Sequence, residues 1–285
     1  MEDARGAGRC GAWGAVTTTQ LADATVDAYL ERIGAARPAR PTVEALFELQ
    51  ERHVMTVPYE TLDFHLRRPQ PIGAPAIEKI VGRRRGGTCY ELNGSLSALL
   101  AALGFEVDVL GARVNDGGEW GAVLGHMLLR VVAADSPERW LVDVGYGRGP
   151  RLPLRFGERG PQQDPHGVFQ VRPAPLGDLD VLRDGKLQYR VETRPRTVGD
   201  FEHVWWWYRN DLTSPMNANL YCTLPTAGGR VTLSGDTLTL RENGSRTTVV
   251  FDGDEELREA YRTWFGVELD ELPRSPVSDG AGRAG

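Results

Sequence analysis

The hydrophobic period of this 285-residue chain changes at Gly104. Before that residue, apolar side chains recur at the spacing of an amphipathic helix in three segments, 24–34, 42–54 and 89–103. After it, apolar and polar residues alternate in short segments bounded by Gly, Pro, Asp and Ser, namely 105–114, 123–132, 139–145, 166–173, 179–184 and 187–194. A helical spacing does not fit a strand, and an alternating pattern does not fit a helix. The pattern therefore predicts an α+β fold in which a helical bundle precedes a β-barrel or sandwich.

Beyond residue 204 the pattern becomes mixed. Strand-like segments at 219–224, 229–240 and 247–251 precede a last helical segment at 254–266. The two ends of the chain carry too few apolar side chains to offset the entropy of ordering them. We therefore predict a disordered N-terminal segment, a helical domain, a β-barrel domain, a mixed α/β domain and a disordered tail, at 1–20, 21–104, 105–204, 205–270 and 271–285.

Charge and cysteine content exclude several classes of protein. The formal net charge of -6 and the pI near 5.5 give no general attraction for nucleic acid or an anionic membrane, and we expect neither as a partner. Cys10, Cys89 and Cys222 are widely spaced and form no C-x-x-C pair, so we expect neither a disulfide framework nor a metal site. The first twenty residues lack an apolar segment of signal-peptide length and no segment could span a bilayer, which predicts a cytoplasmic protein.

Cys89 is placed where a helix begins. Thr88 followed three residues later by Glu91 is a capping box, so Thr88 is the predicted N-cap and Cys89 the first helical residue. The partial positive charge of a helix N-terminus favours thiolate, and the glycine pair at 86–87 would let a substrate approach the sulfur. The alternative is a small buried cysteine that packs the helix start, an interpretation that we keep for Cys222. Position and flanking residues favour a nucleophile at Cys89.

A cysteine nucleophile needs a base and a group that orients the base. His126 lies in the alternating segment VLGHMLLRVV, directly behind a glycine that clears space beside it. A lone histidine on a strand is more often a core residue. Asp143, however, lies inside the apolar run RWLVDVG, where a charge is costly to bury unpaired. Together the two residues predict a base and its orienting carboxylate.

Strand pairing would bring these two side chains together. If their segments pair across the intervening loop, Val132 lies opposite Arg139, and Asp143 falls on the same face as His126 in the diagonal position. A shift by one residue would place the two side chains on opposite faces. In the first register, Asp143 can accept the imidazole N–H and hold the tautomer that faces Cys89. The sequence therefore predicts a Cys89–His126–Asp143 triad.

A run of three tryptophans, Trp205–Trp207, shows no chemistry of its own. Indole rings bury much apolar surface and also bind aromatic ligands. The run could therefore fill the core between domains or line an aromatic ligand site, and we favour the core.

The quoted motifs resemble those of the arylamine N-acetyltransferases. The resemblance runs through VPYETLD (57–63), RRGGTCYELN (84–93), the GHMLLRV strand and LVDVGYG, and covers about residues 24–155. It implies a catalytic triad with a cysteine-protease-like Cys-His-Asp core, which falls on Cys89, His126 and Asp143. It also implies an N-terminal helical bundle, a central β-barrel and a C-terminal α/β lid. Beyond about residue 155 the similarity becomes weaker.

The resemblance further implies roles for residues around the triad. Tyr59 and Tyr146 occupy positions that line the acceptor pocket in this family, and Gly147 is expected to bind substrate beside them. Glu60 and Arg84 are expected to form a charged pair that supports the triad. We expect no permanently bound cofactor, because the acyl thioester enters as a cosubstrate.

These residues predict an acyltransferase with a thioester intermediate. The favoured reaction moves an acetyl group from acetyl-CoA through Cys89 to an arylamine or hydrazine by a ping-pong mechanism. One alternative keeps the chemistry but uses a polyketide chain on an acyl carrier protein, as the amide synthase relatives of macrolactam pathways do. Two alternatives of other classes are a cysteine hydrolase, in which water is the acceptor, and a non-catalytic binding protein.

Overall fold

The computed structural model describes residues 21–274. Its α-helices are α1 (Asp23–Ile33), α2 (Val43–Thr56), α3 (Leu62–His65), α4 (Cys89–Ala102), α5 (Glu202–Asn210), α6 (Pro215–Ala218) and α7 (Asp254–Phe265). Short 3-10 or π-helical turns lie at Ala74–Ala76, Glu78–Gly82, Pro175–Gly177 and Val198–Phe201. The terminal segments predicted to be disordered, 1–20 and the part of 271–285 from residue 275 onward, lie outside the described residues.

The strands of the described region form two sheets. They are β1 (Tyr59–Glu60), β2 (Glu106–Asp116), β3 (Glu119–Trp120), β4 (His126–Val132), β5 (Arg139–Val142), β6 (Leu154–Arg155), β7 (Gln162–Asp164), β8 (Gly167–Pro173), β9 (Leu179–Arg183), β10 (Lys186–Val191), β11 (Tyr221–Thr226), β12 (Gly229–Ser234), β13 (Thr237–Glu242) and β14 (Ser245–Val250). Strands β2 to β10 form one sheet, and β1 with β11 to β14 forms the other. The predicted change from helix to strand at Gly104 is therefore confirmed.

The three helical segments predicted from the apolar period form α1, α2 and α4. Helix α1 ends at Ile33 and is capped by Gly34, which takes a left-handed φ of 68° that favours glycine. Helix α2 begins behind Thr42, whose hydroxyl accepts the Ala45 N–H at 3.3 Å. Helix α4 lies at the centre of the helical region, because ten of its fourteen residues are buried. Its apolar face packs against α1, α2 and the first sheet through a core that includes Tyr29, Leu46, Leu92, Leu96, Leu99, Leu100 and Val142.

The larger sheet is antiparallel and runs in the order β6-β5-β4-β2-β10-β9-β8-β7, with β3 paired to β2. Its two end strands are joined through a side chain: Gln162 on β7 accepts the backbone N–H of Arg155 on β6 at 2.7 Å and donates to its carbonyl at 3.1 Å. The sheet is thus nearly closed, which agrees with the predicted barrel. Its interior is filled by alternating apolar residues, among them Leu110, Leu128, Phe169, Val171 and Val181.

The strand register predicted for the two site strands is confirmed. Strands β4 and β5 pair antiparallel, with Val132 opposite Arg139 and Leu129 opposite Val142. The loop between them, AADSPE, is short, and a shift of one residue in the pairing would turn the apolar side chains of both strands away from the core.

The second sheet belongs to the C-terminal part of the chain but includes one strand from the helical part. Its order is β1-β11-β12-β13-β14, and Tyr59 of β1 pairs with Thr223 of β11. Helix α7 covers this sheet through Leu257, Ala260, Tyr261 and Phe265. The domain limits stay a prediction, but this pairing shows that the first and last parts of the chain share backbone hydrogen bonds.

Helix α5 is a helix that the sequence pattern does not predict. It begins at Glu202 and therefore crosses the limit placed between residues 204 and 205. In the described part of the chain, no helix is both long and apolar enough to cross a membrane.

Candidate active site

Helix α4 presents Cys89 at its first position. The N–H of Thr88 donates to Glu91 Oε2 at 2.9 Å, so the predicted capping box is formed and defines the start of the helix. Cys89 is buried, with 6% of its surface exposed. The thiol thus lies within the field of the first helical turn.

The glycines near this cysteine have a different role from the one predicted. A Cβ at Gly86 would lie 1.9 Å from the carbonyl oxygen of Pro58, so this glycine permits close packing of two backbone segments. The residue that clears space beside Cys89 is Gly145, where a Cβ would lie 2.5 Å from the Cα of Cys89. Sequence reasoning could not find this contact, because Gly145 approaches from another part of the chain.

His126 and Asp143 meet as the register predicts. His126 Nε2 lies 2.8 Å from Asp143 Oδ2, and both residues are 2% exposed. Cys89 and His126 line the same cavity, and the thiol is among the groups that raise the pKa of His126. The structure therefore brings the three predicted residues to one site, where the imidazole and the carboxylate are in direct contact.

The Asp143 carboxylate is held by further donors. Asn93 Nδ2 and the N–H of Gly145 donate to Oδ1 at 3.0 and 2.9 Å, and the Tyr189 hydroxyl donates to Oδ2 at 3.1 Å. Burial opposes ionisation of Asp143, but the charge and hydrogen bond of His126 and these donors lower its pKa. Neither Asn93 nor Tyr189 is predicted from the sequence. Asn93 was within reach, since it lies four residues after Cys89 and so on the same helical face.

Burial and charge act in opposite directions on the imidazole. Burial lowers the pKa of His126, but the Asp143 charge, its hydrogen bond and the contact with Cys89 raise the pKa to about 10. The protonated imidazole is therefore favoured at neutral pH. A cation beside the thiol is the arrangement that favours a thiolate nucleophile.

A cluster of buried charged residues lies behind the start of α4; its members are Glu60, Asp63, Lys79, Arg85 and Glu91, and we call it the buried charge cluster. Arg85 Nη2 lies 2.7 Å from Glu60 Oε1 and 3.0 Å from Asp63 Oδ1. Lys79 Nζ lies 2.8 Å from Glu91 Oε1 and 2.9 Å from Asp63 Oδ2. Since Glu91 also caps Thr88, the cluster is connected to the helix start that carries Cys89.

The predicted partner of Glu60 is wrong by one position. Arg84 is exposed and has a left-handed φ of 49°, whereas the side chain of Arg85 is buried and forms the ion pair. The Arg84 side chain lies in solvent while that of Arg85 is buried against Glu60, so only the second arginine belongs to the ion pair. Lys79 and Asp63 were missed as well, because the contacts that join them to Glu91 depend on packing between distant segments.

A cavity of about 960 Å³ opens next to the triad; we call it the active-site cavity. Its lining includes Cys89 and His126 as well as the three predicted substrate-binding residues, Tyr59, Tyr146 and Gly147. Gly147 has a left-handed φ of 73° and lies against the Tyr59 ring, where a Cβ would be 3.3 Å from Cγ. The cavity size is suited to a small-molecule substrate.

One side of the active-site cavity is cationic. Its lining includes Arg148, Arg183, Arg230 and Arg241, which we call the arginine wall. Arg230 lies opposite Arg241 in the β12–β13 pair. Among described residues, Arg183 approaches Asp184 at 3.6 Å, while the other three form no ion pair. Directly opposed like charges destabilise a sheet, so this wall is suited to an anionic ligand.

Comparison with known proteins identifies the family. The family model described as N-acetyltransferase matches residues 42–273. An arylamine N-acetyltransferase of Mycolicibacterium smegmatis is 34% identical over 256 residues, which cover 86% of this chain and 92% of that protein. The chain belongs to the arylamine N-acetyltransferase family. Human arylamine N-acetyltransferase 1 is 28% identical over 275 residues, covering 86% of this chain and 94% of that relative.

Solved arylamine N-acetyltransferases share the fold as well. The M. smegmatis enzyme superimposes with a TM-score of 0.78 at 31% identity, covering 90% of this chain and 94% of the other. The Mycobacterium marinum enzyme in complex with CoA gives 0.77 at 26% identity, covering 85% and 92%. These relatives confirm the predicted α+β class and establish this member of the family as an N-acyltransferase, so it is not a non-catalytic binding protein. They give no support to the amide synthase alternative or to an acyl carrier protein as partner.

In this arylamine N-acetyltransferase fold, the three tryptophans of the run Trp205–Trp207 lie in different environments, and both core packing and cavity lining occur among them. Trp205 is buried and donates from Nε1 to the carbonyl of Gln70 at 2.9 Å. Trp206 is 66% exposed, and Trp207 lines the active-site cavity. Because the run lies on helix α5, its three side chains point in different directions, and a single role for all three was never possible.

Proposed function

We propose that this family member transfers an acetyl group from acetyl-CoA to an arylamine or hydrazine through a Cys89 thioester, in a ping-pong reaction. The observation that carries the proposal is that Cys89 and the hydrogen-bonded pair of His126 and Asp143 meet at the edge of a cavity large enough for both substrates in turn. We assign the nucleophile to Cys89, the acid and base to His126, and its orientation to Asp143.

In the first half-reaction, the Cys89 thiolate attacks the carbonyl carbon of the thioester. The backbone N–H groups at the start of α4 are candidates for stabilising the oxyanion that forms. The bond from the acetyl carbon to the CoA sulfur then breaks, and the protonated imidazole of His126 supplies a proton to the leaving thiolate. Asp143 accepts the other imidazole N–H throughout and keeps the ring in place.

In the second half-reaction, the amine nitrogen attacks the acetyl carbon of the thioester. The neutral imidazole left by the first half-reaction accepts a proton from the nitrogen, and the bond to the Cys89 sulfur breaks. The products are an amide, the Cys89 thiolate and the protonated imidazole. The catalytic groups have then returned to the state that favours the next attack.

The arginine wall supports acetyl-CoA as the donor. The diphosphate and 3′-phosphate of CoA are anionic, and guanidinium groups are well suited to bind phosphate. Arg230 is half-buried, and burial together with the charges of Arg183 and Arg148 lowers its pKa to about 10. A bound phosphate would offset this mutual repulsion, and Cys89 and the wall line the same cavity.

The tyrosine rings that line the active-site cavity are evidence for an aromatic acceptor. The rings of Tyr59 and Tyr221 stack with centroids 5.6 Å apart, and both line the active-site cavity. The Tyr59 hydroxyl donates to Met216 Sδ at 3.8 Å, and the Tyr146 hydroxyl to the Gln188 carbonyl at 3.3 Å. Because both hydroxyls have protein partners, the parts of these rings that line the cavity present apolar surface suited to an arylamine.

Intact-mass spectrometry tests the proposal. Brief incubation with acetyl-CoA is expected to give an acetyl adduct on the wild-type protein and none on Cys89→Ala, in which Cys222 remains as an internal control. An arylamine added afterwards should remove the adduct and yield its acetamide. Loss of the adduct at the same rate with and without amine would instead identify a hydrolase, and no adduct with a protein whose Cys89 alkylates readily would contradict acetyl-CoA as the donor.

A further inference from the structure

The turn that leads into His126 is strained. Leu124 has a left-handed φ of 58°, an unusual conformation for a large apolar residue. The N–H of Gly125 donates to the carbonyl of Ala122 at 3.0 Å, which closes a tight turn directly before β4. Such a backbone persists only when surrounding contacts determine it, and strain of this kind clusters at functional sites.

Two tyrosine hydroxyls donate hydrogen bonds to backbone carbonyls of this turn. Tyr90 donates to the carbonyl of Leu124 at 2.5 Å, and Tyr208 donates to the carbonyl of Gly125 at 3.0 Å. The two acceptors are the consecutive carbonyl groups that precede His126. Both tyrosines are buried, so water does not compete freely for either bond.

The two tyrosines come from different parts of the fold. Tyr90 is the neighbour of Cys89 in α4, so one helical turn carries both the nucleophile and a donor to the turn before the base. Tyr208 belongs to α5. Their rings pack with centroids 6.0 Å apart, so the two donors also support each other. Burial raises the pKa of both hydroxyls above the ordinary tyrosine range, which keeps them protonated as donors.

We propose that Tyr90 and Tyr208 are positioning residues, whose hydroxyls hold the turn at residues 122–125 so that the His126 imidazole meets the Cys89 thiol. The contact with Asp143 restrains the His126 imidazole at Nε2. It does not restrain the backbone turn that precedes His126. The two hydroxyls supply that second restraint. A small displacement of a reacting group costs a large part of the rate, so loss of either bond should be visible in the reaction.

The test uses Tyr90→Phe, Tyr208→Phe and the double variant, with Tyr261→Phe as the matched control. Tyr261 is a buried tyrosine in the second sheet's core, and its hydroxyl has no hydrogen-bond partner among residues 21–274. The first measurement is the rate of Cys89 alkylation by iodoacetamide as a function of pH, read by mass spectrometry of the Cys89 peptide. A looser imidazole should stabilise the thiolate less, so the profile should move to higher pH in each single variant and further in the double variant.

The second measurement is acetyl transfer. Each single variant is expected to lose about three- to tenfold in kcat, the effect of one hydrogen bond, and Tyr90→Phe should leave KM for the amine within about twofold. The other ionisable groups near the pair are unchanged in the Tyr90 variant: Asp143, Tyr146 and Tyr189 beside the imidazole, and Tyr59, Tyr208 and Tyr221 near the thiol. A shifted profile is therefore attributable to the lost hydroxyl.

Two results would overturn the proposal. One is an alkylation profile and kcat that match those of the wild type and Tyr261→Phe. The other is a lower melting temperature with an unchanged alkylation profile, because that combination describes a purely structural role. Alkylation does not require acetyl transfer, so this readout stands even if the proposed donor or acceptor is wrong.

Discussion

Lys79 Nζ lies 2.8 Å from Glu91 Oε1, and both side chains are excluded from solvent. The lysine also lies 2.9 Å from Asp63 Oδ2. Burial opposes the charge of Lys79, but the charges of Glu60, Glu91 and Asp63 raise its pKa above the ordinary lysine range. The contact matters because Glu91 defines the first turn of the helix that carries Cys89.

Replacing this lysine should destabilise the fold strongly. Lys79→Met leaves the cluster's carboxylates with Arg85 as their remaining cation, and an uncompensated buried charge costs about 3–5 kcal/mol. Lys186→Met is the matched control, since Lys186 is the chain's other lysine and is exposed. Urea denaturation measures both free energies of unfolding. A loss below about 1 kcal/mol for Lys79→Met would contradict the expected importance of the cluster.

Asp143→Asn should remove most activity while leaving the cavity intact. The asparagine keeps the size of the side chain but loses the charge that raises the pKa of His126. We expect kcat/KM for acetyl transfer to fall by at least about 10³-fold, with iodoacetamide alkylation of Cys89 needing higher pH. Asp108→Asn, which removes the carboxylate of a part-exposed ion pair with Arg130, should stay within about twofold. Activity retained in Asp143→Asn would exclude Asp143 from the triad.

The raised pKa of His126 also predicts a pH dependence of stability. A group whose folded pKa, about 10, exceeds the ordinary value of 6.5 stabilises the fold fully below the lower value and loses that contribution as pH rises through the higher one. We compare the free energy of unfolding of Cys89→Ala with that of the double variant that also carries His126→Gln. The difference between the two, called the stability gap, should narrow as pH rises from about 6.5. Because both variants carry Cys89→Ala, the thiol cannot titrate in either. The thiol's contribution to the raised pKa of His126 is then absent, so the stabilising contribution of His126 is lost at a lower pH than in the wild type. Urea denaturation over this range gives the gap, and a gap independent of pH would show that the imidazole is not held as a cation.

Arg230→Gln should discriminate between donors with and without phosphate. The variant removes a half-buried guanidinium of the arginine wall but leaves Cys89 untouched. With acetyl-CoA, we expect kcat/KM to fall by about 10- to 100-fold, the effect of one hydrogen bond to a charged group. With S-acetyl-pantetheine, which has no phosphate, the value should change by less than about twofold.

The control for this prediction is Arg40→Gln, at an exposed position in the helical part of the chain. It should leave both donors unaffected. Added salt should weaken use of acetyl-CoA more in the wild type than in Arg230→Gln, because screening acts on the interaction that the variant lacks. Equal losses with both donors would show that Arg230 acts on the cavity's structure and not on phosphate.

Features encoded within a few neighbouring residues were predictable. The capping box spans Thr88 to Glu91, so it places Cys89 at a helix start without reference to the rest of the fold. The register that joins His126 to Asp143 follows from alternation and a short loop, since a slip of one residue would expose an entire apolar face. Both signals are local, and both were confirmed by the structure.

Features that need several distant segments were decided by the tertiary structure. Whether Arg84 or Arg85 faces Glu60 depends on how residues 83–88 pass β1, and the arginine wall forms only when β12 and β13 approach the barrel. The same holds for the hydroxyls of Tyr90 and Tyr208 on the turn before His126. The sequence by itself determined the periodic elements, the place of Cys89 at a helix start and the pairing of the strands that carry His126 and Asp143, because period and capping act over a few residues. Packing decided the environment of that triad, because buried charges and hydroxyls take whichever partners the assembled core brings within reach.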